Sequence, residues 1–525
     1  MALLLILISV FAESTFASQQ TLTASEPVLD EIKNETTLEP SPLSKAKGLI
    51  MLDYEVIPIP GNKIDLLGLH YLHQLNNWLY LGVGVHAPLV QGNYGGFMAF
   101  DTTIHAQRKI YGDLFVDAGA SFGGGGGGST VNQSRQLSGT GGFIKSYAGV
   151  GYEFNGFSAG LNYNNFRFKN SLINHSQVSL FVQKPVSYMI GSYANSNNTI
   201  GADWDSEEPG ENILTLGLNN IFQIKPQGLS RKTINALSLQ FSHFLTENHY
   251  LFFAADIGYS GIPLYNQVLG GAGYKFSVSP YVNIYSQVGV GSGGYAPAEI
   301  DTGPGVLVYP KLSLEYMLNS ELGLSLSGGY LFAPRGSSKN FTLGAAINYH
   351  TFSKESHPDS FSSVDNRDFR RIRFNLSQQT EFDVQVGNNR HGNINILSIQ
   401  LDYVLDDLWY IPVQANVAFN EFLGYPGYGQ MLAGLGIQTQ FSTTKRFQGF
   451  MQILAGADVH GMVLKPSFGL NYSLSDHLAL YGQLGKTISL DKMNLYPKSL
   501  RLSSYSAGLG FTYRFSLPNA FSNKR

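Results

Sequence analysis

Histidine and acidic residues near predicted strand ends are the groups of this chain that could do acid–base chemistry. His86 and His175 lie near the outer ends of predicted strands, and Asp458 and His460 are two positions apart. Alternate residues of a strand share a face, so the last two could act as a pair in general acid–base catalysis. Hydrolysis of a lipid or a peptide would be the reaction. The sequence shows no partner within hydrogen-bond reach of them, so we predict no catalytic residue and keep a hydrolase as an alternative.

Cofactor and metal motifs are absent from the sequence. Residues 123–128 are six consecutive glycines, but neither a GK[ST] ending nor a predicted helix follows, so the run does not resemble a phosphate-binding loop. The histidines are scattered, and neither HExxH nor an EF-hand pattern occurs. The chain has no cysteine and a net charge of −3, which leaves no thiolate site and no basic footprint for nucleic acid. We therefore predict no metal, no cofactor and no nucleic-acid partner.

The composition is poor in charge without being strongly apolar. Charged residues make up 14% of the 525 residues, against about 25% in an ordinary soluble chain. The mean hydropathy is nevertheless only −0.05. Such values are typical of a chain in which apolar residues alternate with small polar residues, and the many glycines and aromatic residues fit that description.

Alternation with a period of two dominates the sequence from about Leu49 onward. In residues 464–472, one face carries Leu, Pro, Phe, Leu and Tyr, and the other carries Lys, Ser, Gly and Asn. Segments of this kind run for roughly ten residues, which is the length of a tilted strand that crosses a bilayer. A soluble sandwich would carry more Lys and Glu on its polar face. The pattern therefore predicts an all-β, antiparallel, up-and-down transmembrane barrel with its apolar face toward lipid.

Three segments of the chain resemble one another, which indicates an internal repeat. YLHQLNNWLY begins at Tyr71, FSHFLTENHYL begins at Phe241 and LDYVLDDLWY begins at Leu401. Each reads as a strand, a tight polar turn and an aromatic residue that opens the next strand. The similarity predicts three units of eight strands, about 24 in all, with linkers between them. The predicted boundaries are 49–190, 213–352 and 370–515 for the units, and 191–212 and 353–369 for the linkers.

The lengths of the connections predict which end of the barrel faces outward. The second and sixth connections of each unit are short, whereas the third connections and most of the fifth and seventh are long. Outer-membrane barrels have short periplasmic turns and longer extracellular loops. We therefore expect protease added to intact cells to cut near Arg135 in the long fifth loop. The tyrosine- and glycine-rich loop 423–429 would then be available for contact with a glycan or a protein partner.

Two arrangements of the three units are consistent with the sequence. Eight strands from each unit could form one wide barrel, with the linkers as spare loops or a partial plug. Alternatively, each unit could close as its own eight-strand barrel. The small residues of the polar face, such as Gly323 and Ser325, favour the wide barrel, because a narrow barrel must fill its interior with side chains.

A pore for small polar solutes or ions is the function that a polar lumen predicts. Charged rings in a lumen set ion preference, although scattered solvated side chains would give no selectivity. A surface interaction or assembly protein is the alternative to a pore, beside the hydrolase. Strand parity predicts seven charged residues that face the lumen: Asp101, Lys145, Lys275, Lys311, Glu315, Lys465 and Arg514.

The two ends of the chain carry features of export. Residues 2–12 are apolar and Ala17 ends a small-residue cleavage site, which predicts a signal peptide over residues 1–17. Residues 18–48 are acidic and rich in Thr, Ser and Pro, which predicts a flexible periplasmic lead-in. Residues 516–525 form a C-terminal tail.

With this leader, the alternating strands and the closing segment YSAGLGFTYRF, the chain resembles the bacterial outer-membrane β-barrel superfamily, which is porin-like in the broad sense. The resemblance concerns architecture and matches no particular porin, receptor or enzyme family. It implies residence in the outer membrane, contact with outer-membrane lipid and insertion by the barrel-insertion machinery. Proteins of this kind end on an aromatic residue that is recognised during insertion, and Phe515 matches that position.

Overall fold

The computed structural model consists almost entirely of antiparallel strands, with one helical turn at residues 136–138. No helix within the described residues is long and apolar enough to cross a membrane. The described residues are 44–127, 136–193, 199–202, 211–224, 233–262, 265–294, 300–319, 322–350, 365–386, 389–422, 424, 426–442, 446–458, 461–490, 493–495, 498–500 and 502–518. The predicted signal peptide, most of the lead-in, Arg135 and His460 lie outside them.

Barrel 1 is a closed sheet of eight strands in sequence order. Each strand pairs with the next in antiparallel fashion, and the last strand pairs with the first. The strands are β1 (Ser44–Ile59), β2 (Asn62–Gln74), β3 (Leu79–Ala87), β4 (Met98–Tyr111), β5 (Leu114–Gly126), β6 (Gly142–Phe154), β7 (Phe157–Phe168) and β8 (Asn174–Ile190).

Barrel 2 repeats this topology after the short strand β9 (Thr199–Ala202), and its first and last strands pair with each other. Its strands are β10 (Asn212–Gln223), β11 (Thr233–Phe244), β12 (His249–Ser260), β13 (Asn266–Ser279), β14 (Val282–Gly294), β15 (Val306–Met317), β16 (Leu322–Phe332) and β17 (Lys339–His350).

Barrel 3 closes in the same way, because its first and last strands, β18 and β28, also pair with each other. Three further short strands, β19, β26 and β27, lie outside the closed ring of eight. The strands are β18 (Asp365–Val386), β19 (Asn389–His391), β20 (Ile394–Val404), β21 (Trp409–Ala418), β22 (Gly429–Gln438), β23 (Phe447–Asp458), β24 (Gly461–Ser473), β25 (Leu478–Ser489), β26 (Met493–Leu495), β27 (Lys498–Leu500) and β28 (Leu502–Pro518).

The predicted transmembrane barrel of 24 strands in three repeats is confirmed, in the form of three separate eight-strand barrels. The single wide barrel, which the small inward residues favoured, is wrong, because each unit closes on itself. The small residues of the inward faces do not leave a wide lumen, because large rings from neighbouring strands fill the space above them. A Cβ atom at Gly119 would overlap the ring of Tyr147, and one at Gly436 would overlap the ring of Tyr410.

The outward faces of the strands are apolar and exposed, as a lipid-facing surface requires. Leu312, Leu326 and Leu343 of barrel 2 each expose more than half of their surface. Their sequence neighbours on the inward faces, such as Ser325 and Thr342, are buried. The apolar face thus points outward and the polar face inward, the reverse of a soluble fold, which suits a lipid environment. Closure of the barrel also satisfies the backbone groups of every strand edge within the bilayer.

The pairing registers extend the sequence repeat to individual positions. Tyr71, Phe241 and Leu401 are equivalent, because each lies four residues before a leucine that closes the same turn. The N–H of this leucine donates to the carbonyl four residues further along, in the pairs Leu75 with Leu79, Leu245 with His249 and Leu405 with Trp409. Each of these residues lies on the second strand and pairs with a residue of the first strand, which in turn pairs with the last strand. The last-strand partners are Lys184, Tyr349 and Tyr513, which are therefore equivalent as well.

The three barrels contact one another through equivalent positions. The third strand of each barrel contacts the fifth strand of the next, in the pairs β3 with β14, β12 with β23, and β21 with β5. A second set of contacts joins the last strand of each barrel to the second strand of the next. In this set Lys184 interacts with His243, Tyr349 bonds Tyr403 through their hydroxyls, and Tyr513 packs on His73 at 5.3 Å between ring centroids. The chain therefore forms a closed ring of three barrels, as a cyclic trimer would.

The ring arrangement predicts a specific cross-link between barrels 2 and 3. The double variant Tyr349→Cys and Tyr403→Cys contains two cysteines and no others, since the natural chain has none. We expect a short bismaleimide to join them because the two tyrosine hydroxyls are in contact. A protease site inserted after residue 358 then yields two fragments, which should migrate together in a denaturing gel only after cross-linking.

Tyr163→Cys combined with Tyr403→Cys is the matched control for this cross-link. Tyr163 is 65% exposed on the outward face of β7 in barrel 1, away from the contacting strands. Its fragments should separate after cleavage. Separation of the fragments in the Tyr349 and Tyr403 variant as well, with the protein folded, would contradict the side-by-side ring.

Candidate functional site: the three barrel lumens

Each lumen has three layers along the barrel axis. At the end that carries the long loops, an apolar layer closes each barrel; it includes Phe166 in barrel 1, Leu331 in barrel 2 and Ile396 in barrel 3. A second layer that contains aromatic rings lies toward the short-turn end. Polar and charged side chains lie between the two and extend toward the termini. The lumen is therefore not a continuous polar pore.

The seven charged residues that strand parity predicted to face inward all lie inside the barrels. Six of them expose 6% of their surface or less, and Lys311 is half-buried. They are distributed over the three barrels and form no shared ring. Asp101 and Lys145 lie in barrel 1, Lys275, Lys311 and Glu315 in barrel 2, and Lys465 and Arg514 in barrel 3.

Lys145 is the centre of a buried ion network in barrel 1. Its ammonium contacts Asp53 and lies 2.9 Å from a carboxylate oxygen of Glu55. Asp53 also lies 3.0 Å from Nε2 of His70. All four side chains are 4% exposed or less, so the network is out of contact with bulk water.

A cavity of about 60 Å³, lined by both polar and apolar side chains, lies in the middle of barrel 2. Gln240 and Gln287 exchange hydrogen bonds of 3.1 and 3.2 Å across it, and Lys311 donates to Gln240 at 3.1 Å. Asp256 accepts a hydrogen bond of 2.5 Å from Gln267 at the edge of the cavity. Since one water occupies about 30 Å³ in the liquid, the cavity has room for roughly two.

The short-turn end of barrel 2 is closed by charged groups. His350 lies between two carboxylates, 2.9 Å from Glu315 and 2.6 Å from Glu211. The Lys275 ammonium lies 2.8 Å from Glu211. These four groups neutralise one another in one network, so a passing ion would have to displace an ion pair.

Barrel 3 holds its buried cations in two places. The Arg373 guanidinium bonds Asp402 at 2.9 Å and Gln438 at 2.6 Å, and it lies over the ring of Tyr410 at 4.4 Å. Toward the other end, Lys465 bonds Gln379 at 2.8 Å and lies 3.5 Å from Glu381.

Described residues of the first linker lie at the short-turn mouth of barrel 3. Tyr193 is fully buried, and its ring faces the Arg371 guanidinium at 5.3 Å and the ring of Phe441 at 4.9 Å. Gly191 forms an isolated bridge with Ser516, and β9 pairs with the N-terminal end of β18. β18 extends beyond the closed ring and so offers a free edge for β9. Residues 191–193 and 199–202 are thus held on the barrel, and the ring of Tyr193 partly blocks its short-turn mouth.

The catalytic candidates that lie within the described residues, His86, His175 and Asp458, are not brought together. His86 lies inside barrel 1, 3.1 Å from Asp101, whereas His175 is exposed on β8. Asp458 is buried in barrel 3 and accepts a hydrogen bond of 3.1 Å from Tyr428. Because the ring of His86 is buried beneath the apolar layer, a substrate in solution cannot reach it.

The long loops of neighbouring barrels are joined by backbone hydrogen bonds. Gly95 donates to the carbonyl of Gly303 at 3.0 Å, and Val306 donates to that of Leu89 at 3.1 Å, so loops of barrels 1 and 2 form one cap. Burial within this cap raises the pKa of Tyr94. In the loop 423–429, Tyr428 is 2% exposed and packs inward, so its ring is not available to a partner.

Several lumen residues escaped the sequence analysis, including Asp53, Glu55, His70, Arg373 and Glu381. A signal for them exists, because the first strand of each repeat has the same alternation as the others. On β1, Asp53 and Glu55 share the inward face with buried Leu49 and Met51, while Leu52 points to lipid. Reading the acidic residues as a continuation of the apolar face would have found them.

Phe515 lies within β28 and pairs with Ile372, and the strand continues to Pro518. The aromatic residue is therefore the fourth from the end of the strand. The remaining residues of the tail, 519–525, lie outside the described part of the chain.

No protein-family model matches the chain, and no curated protein matches it. Solved structures that are similar include a de novo designed transmembrane β-barrel, with 14% identity, a TM-score of 0.20, and coverage of 27% of this chain and 98% of the design. The outer membrane protein Ail of Yersinia pestis is similar at 18% identity and a TM-score of 0.20, over 27% of this chain and 99% of its own. A KdgM porin in complex with disordered oligogalacturonate matches at 10% identity and a TM-score of 0.15, over 57% of this chain and 98% of its own. The likeness to these three proteins extends to architecture alone.

Proposed function

We propose that this protein is an outer-membrane channel that is closed at rest and passes water and small ions through barrel 2. The observation that carries the proposal is the cavity of about 60 Å³ at the centre of that barrel, which polar side chains partly line. An eight-strand barrel has an interior just wide enough for side chains, so sugars and other larger solutes are excluded. The mature chain would begin after the signal peptide, with outer-membrane lipid and the barrel-insertion machinery as its partners.

Barrel 2 is the best conduit of the three because its centre holds the fewest fixed charges. Its cavity is lined by apolar side chains together with amide and hydroxyl groups, and Lys311 and Asp256 are the charged members. At the corresponding depth, barrel 1 holds the Lys145 network, and barrel 3 holds Lys465 between Gln379 and Glu381. Ions crossing those two barrels would have to break buried ion pairs at the centre of the lumen, which is strongly unfavourable. In barrel 2 the ion network lies instead at the short-turn end, where the side chains of Lys275 and Glu211 are 7% and 11% exposed.

The apolar layer at the long-loop end of barrel 2 would be the gate. Ile221, Ile234, Leu269, Leu307 and Leu331 contribute to it, and each exposes 3% of its surface or less. Apolar constrictions exclude water and thereby block ions without a physical plug. Opening requires only that these side chains separate, whereas the wall of the barrel stays intact.

Single-channel recording of the purified, refolded protein in a planar bilayer tests the proposal. We expect rare, small conductance steps, because the gate is closed most of the time and the lumen is narrow. Vesicles that contain the protein should not swell in isosmotic sugar. Large, stable steps or rapid swelling would contradict the narrow conduit, and complete silence in both wild type and gate variants would contradict a channel.

A further inference from the structure

The lumen of barrel 1 contains a cluster of possible metal ligands. Asp53, His70 and His86 each offer one ligand atom, and these three atoms lie within 4.8 Å of one another. All three side chains are buried, with exposures of 3%, 2% and 0%. Two imidazoles and a carboxylate are the donor set of many zinc sites.

His86 is not satisfied by the protein around it. Its Nδ1 has no hydrogen-bond partner among the described residues, and its Nε2 lies 3.1 Å from Asp101 without the alignment of a hydrogen bond. The ring is held in place by Phe166, which packs edge-on at 5.3 Å between centroids. Buried polar groups are nearly always bonded, so this nitrogen points to a missing partner.

The charges of this lumen are also out of balance. Four carboxylates, of Asp53, Glu55, Asp101 and Asp117, are buried there, and each exposes 4% of its surface or less. Lys145 is the only buried Lys or Arg among the described residues of barrel 1. Metal ligation requires neutral imidazoles, so with His70 and His86 neutral a divalent cation would supply the positive charge that Lys145 alone does not.

The cluster is not needed to build an eight-strand barrel of this repeat. The positions equivalent to His70 are Gln240 and Gln400, because each directly precedes one of the aligned residues Tyr71, Phe241 and Leu401. The residue three positions before each aligned residue pairs with the third strand of its barrel. Its partner there is His86 in barrel 1, Asp256 in barrel 2 and Asn416 in barrel 3. Barrels 2 and 3 thus have no histidine at either position.

We propose that barrel 1 binds one divalent transition-metal ion of the zinc class through Asp53, His70 and His86. Asp101 faces the other nitrogen of His86 and positions its imidazole, which is a common role for a carboxylate behind a metal ligand. The Lys145 ammonium contacts the carboxylate of Asp53 and so fixes the position of that ligand. This inference is independent of the proposed conduit, which lies in barrel 2.

Titration with Co²⁺ tests the site, because ligand binding gives this ion a visible absorption spectrum. The full-length protein is freed of metal with a chelator while unfolded and is then refolded in detergent at increasing Co²⁺ concentrations, so that the ion can enter before the barrel closes. We expect saturation at one Co²⁺ per chain and competition by Zn²⁺ present during refolding. His86→Asn installs the residue that barrel 3 has at this position and should weaken binding by about 100-fold or more. Asp101→Asn should weaken it by about 10- to 100-fold, the range for a residue that positions a ligand.

His105→Gln is the matched control. His105 is also buried in barrel 1, but it bonds Tyr147 at 2.9 Å and lies outside the cluster. This variant should bind Co²⁺ as the wild type does. X-ray absorption of the Co²⁺-loaded wild type should show two imidazoles, a readout that requires no variant to fold. Sub-stoichiometric binding, or unchanged binding by a folded His86→Asn variant, would overturn the proposal.

Discussion

Replacing Lys145 with methionine is expected to lower the free energy of unfolding of barrel 1 by about 3–5 kcal/mol. The ammonium contacts Asp53 and lies 2.9 Å from Glu55, and the three side chains are 4% exposed or less. Removing the cation leaves two carboxylates buried without their partner, which is far less favourable than losing a surface pair. Equilibrium unfolding in urea, followed by Trp78 fluorescence with Trp204 and Trp409 replaced by phenylalanine, would measure the change in this barrel.

Lys109→Met is the control for the loss of a lysine. Lys109 pairs with Glu153 and Asp113 near the short-turn end of the barrel, but its side chain is 56% exposed. We expect no measurable change there, because solvent screens exposed ion pairs. The triple variant with Asp53→Asn, Glu55→Gln and Lys145→Met should recover most of the stability, since all three partners become neutral together. Equal stability of the Lys145→Met and Lys109→Met variants would show that the lumen is hydrated.

The barrels themselves could be predicted from the sequence because two independent periods agree. Alternation along each strand fixes which face is apolar, and a one-residue shift would turn every side chain to the wrong face. The repeat of about 160 residues then divides the strands into groups of eight. Both signals are local or compare one segment with another, so a single sequence contains them.

The closure of each barrel could not be predicted in the same way. Pairing β8 with β1, or instead with β10 of the next unit, satisfies the same number of backbone groups. The choice depends on how side chains fill the lumen, and that is a property of all eight strands at once. Gly323 and Ser325 looked like the lining of a wide pore. Small inward residues instead provide space for larger side chains, as Gly323 does for Glu315 and Gly119 does for the ring of Tyr147.

The chemistry of the lumens was predicted only in part, for a related reason. Parity placed Lys145 and Lys465 on inward faces, but their partners lie on strands far away in the sequence. Asp53 is 92 residues from Lys145, and Gln379 is 86 residues from Lys465. Without the register of every intervening strand, the sequence cannot show which inward residues meet.

Opening the apolar layer of barrel 2 is expected to raise the frequency of conductance steps by about tenfold or more. In the double variant Leu269→Ser and Leu331→Ser, two buried apolar side chains of the gate become hydroxyl groups that water can hydrate. Burial of one leucine is worth about 1.5–3 kcal/mol, and each 1.4 kcal/mol changes an equilibrium tenfold. Single-channel recording of the variant and of the wild type under the same salt conditions would measure the effect.

Two control variants separate gating from a general loosening of the protein. Leu326→Ser lies on β16 as Leu331 does, but it is 64% exposed on the outward face and should leave conductance unchanged. Leu432→Ser removes the residue of barrel 3 that the strand pairings make equivalent to Leu269. It creates a similar defect in an apolar layer above a charged lumen, so it should destabilise the protein without producing current. Equal conductance from the barrel 2 and barrel 3 variants would mean that any weakened barrel leaks, and the assignment of the conduit to barrel 2 would fail.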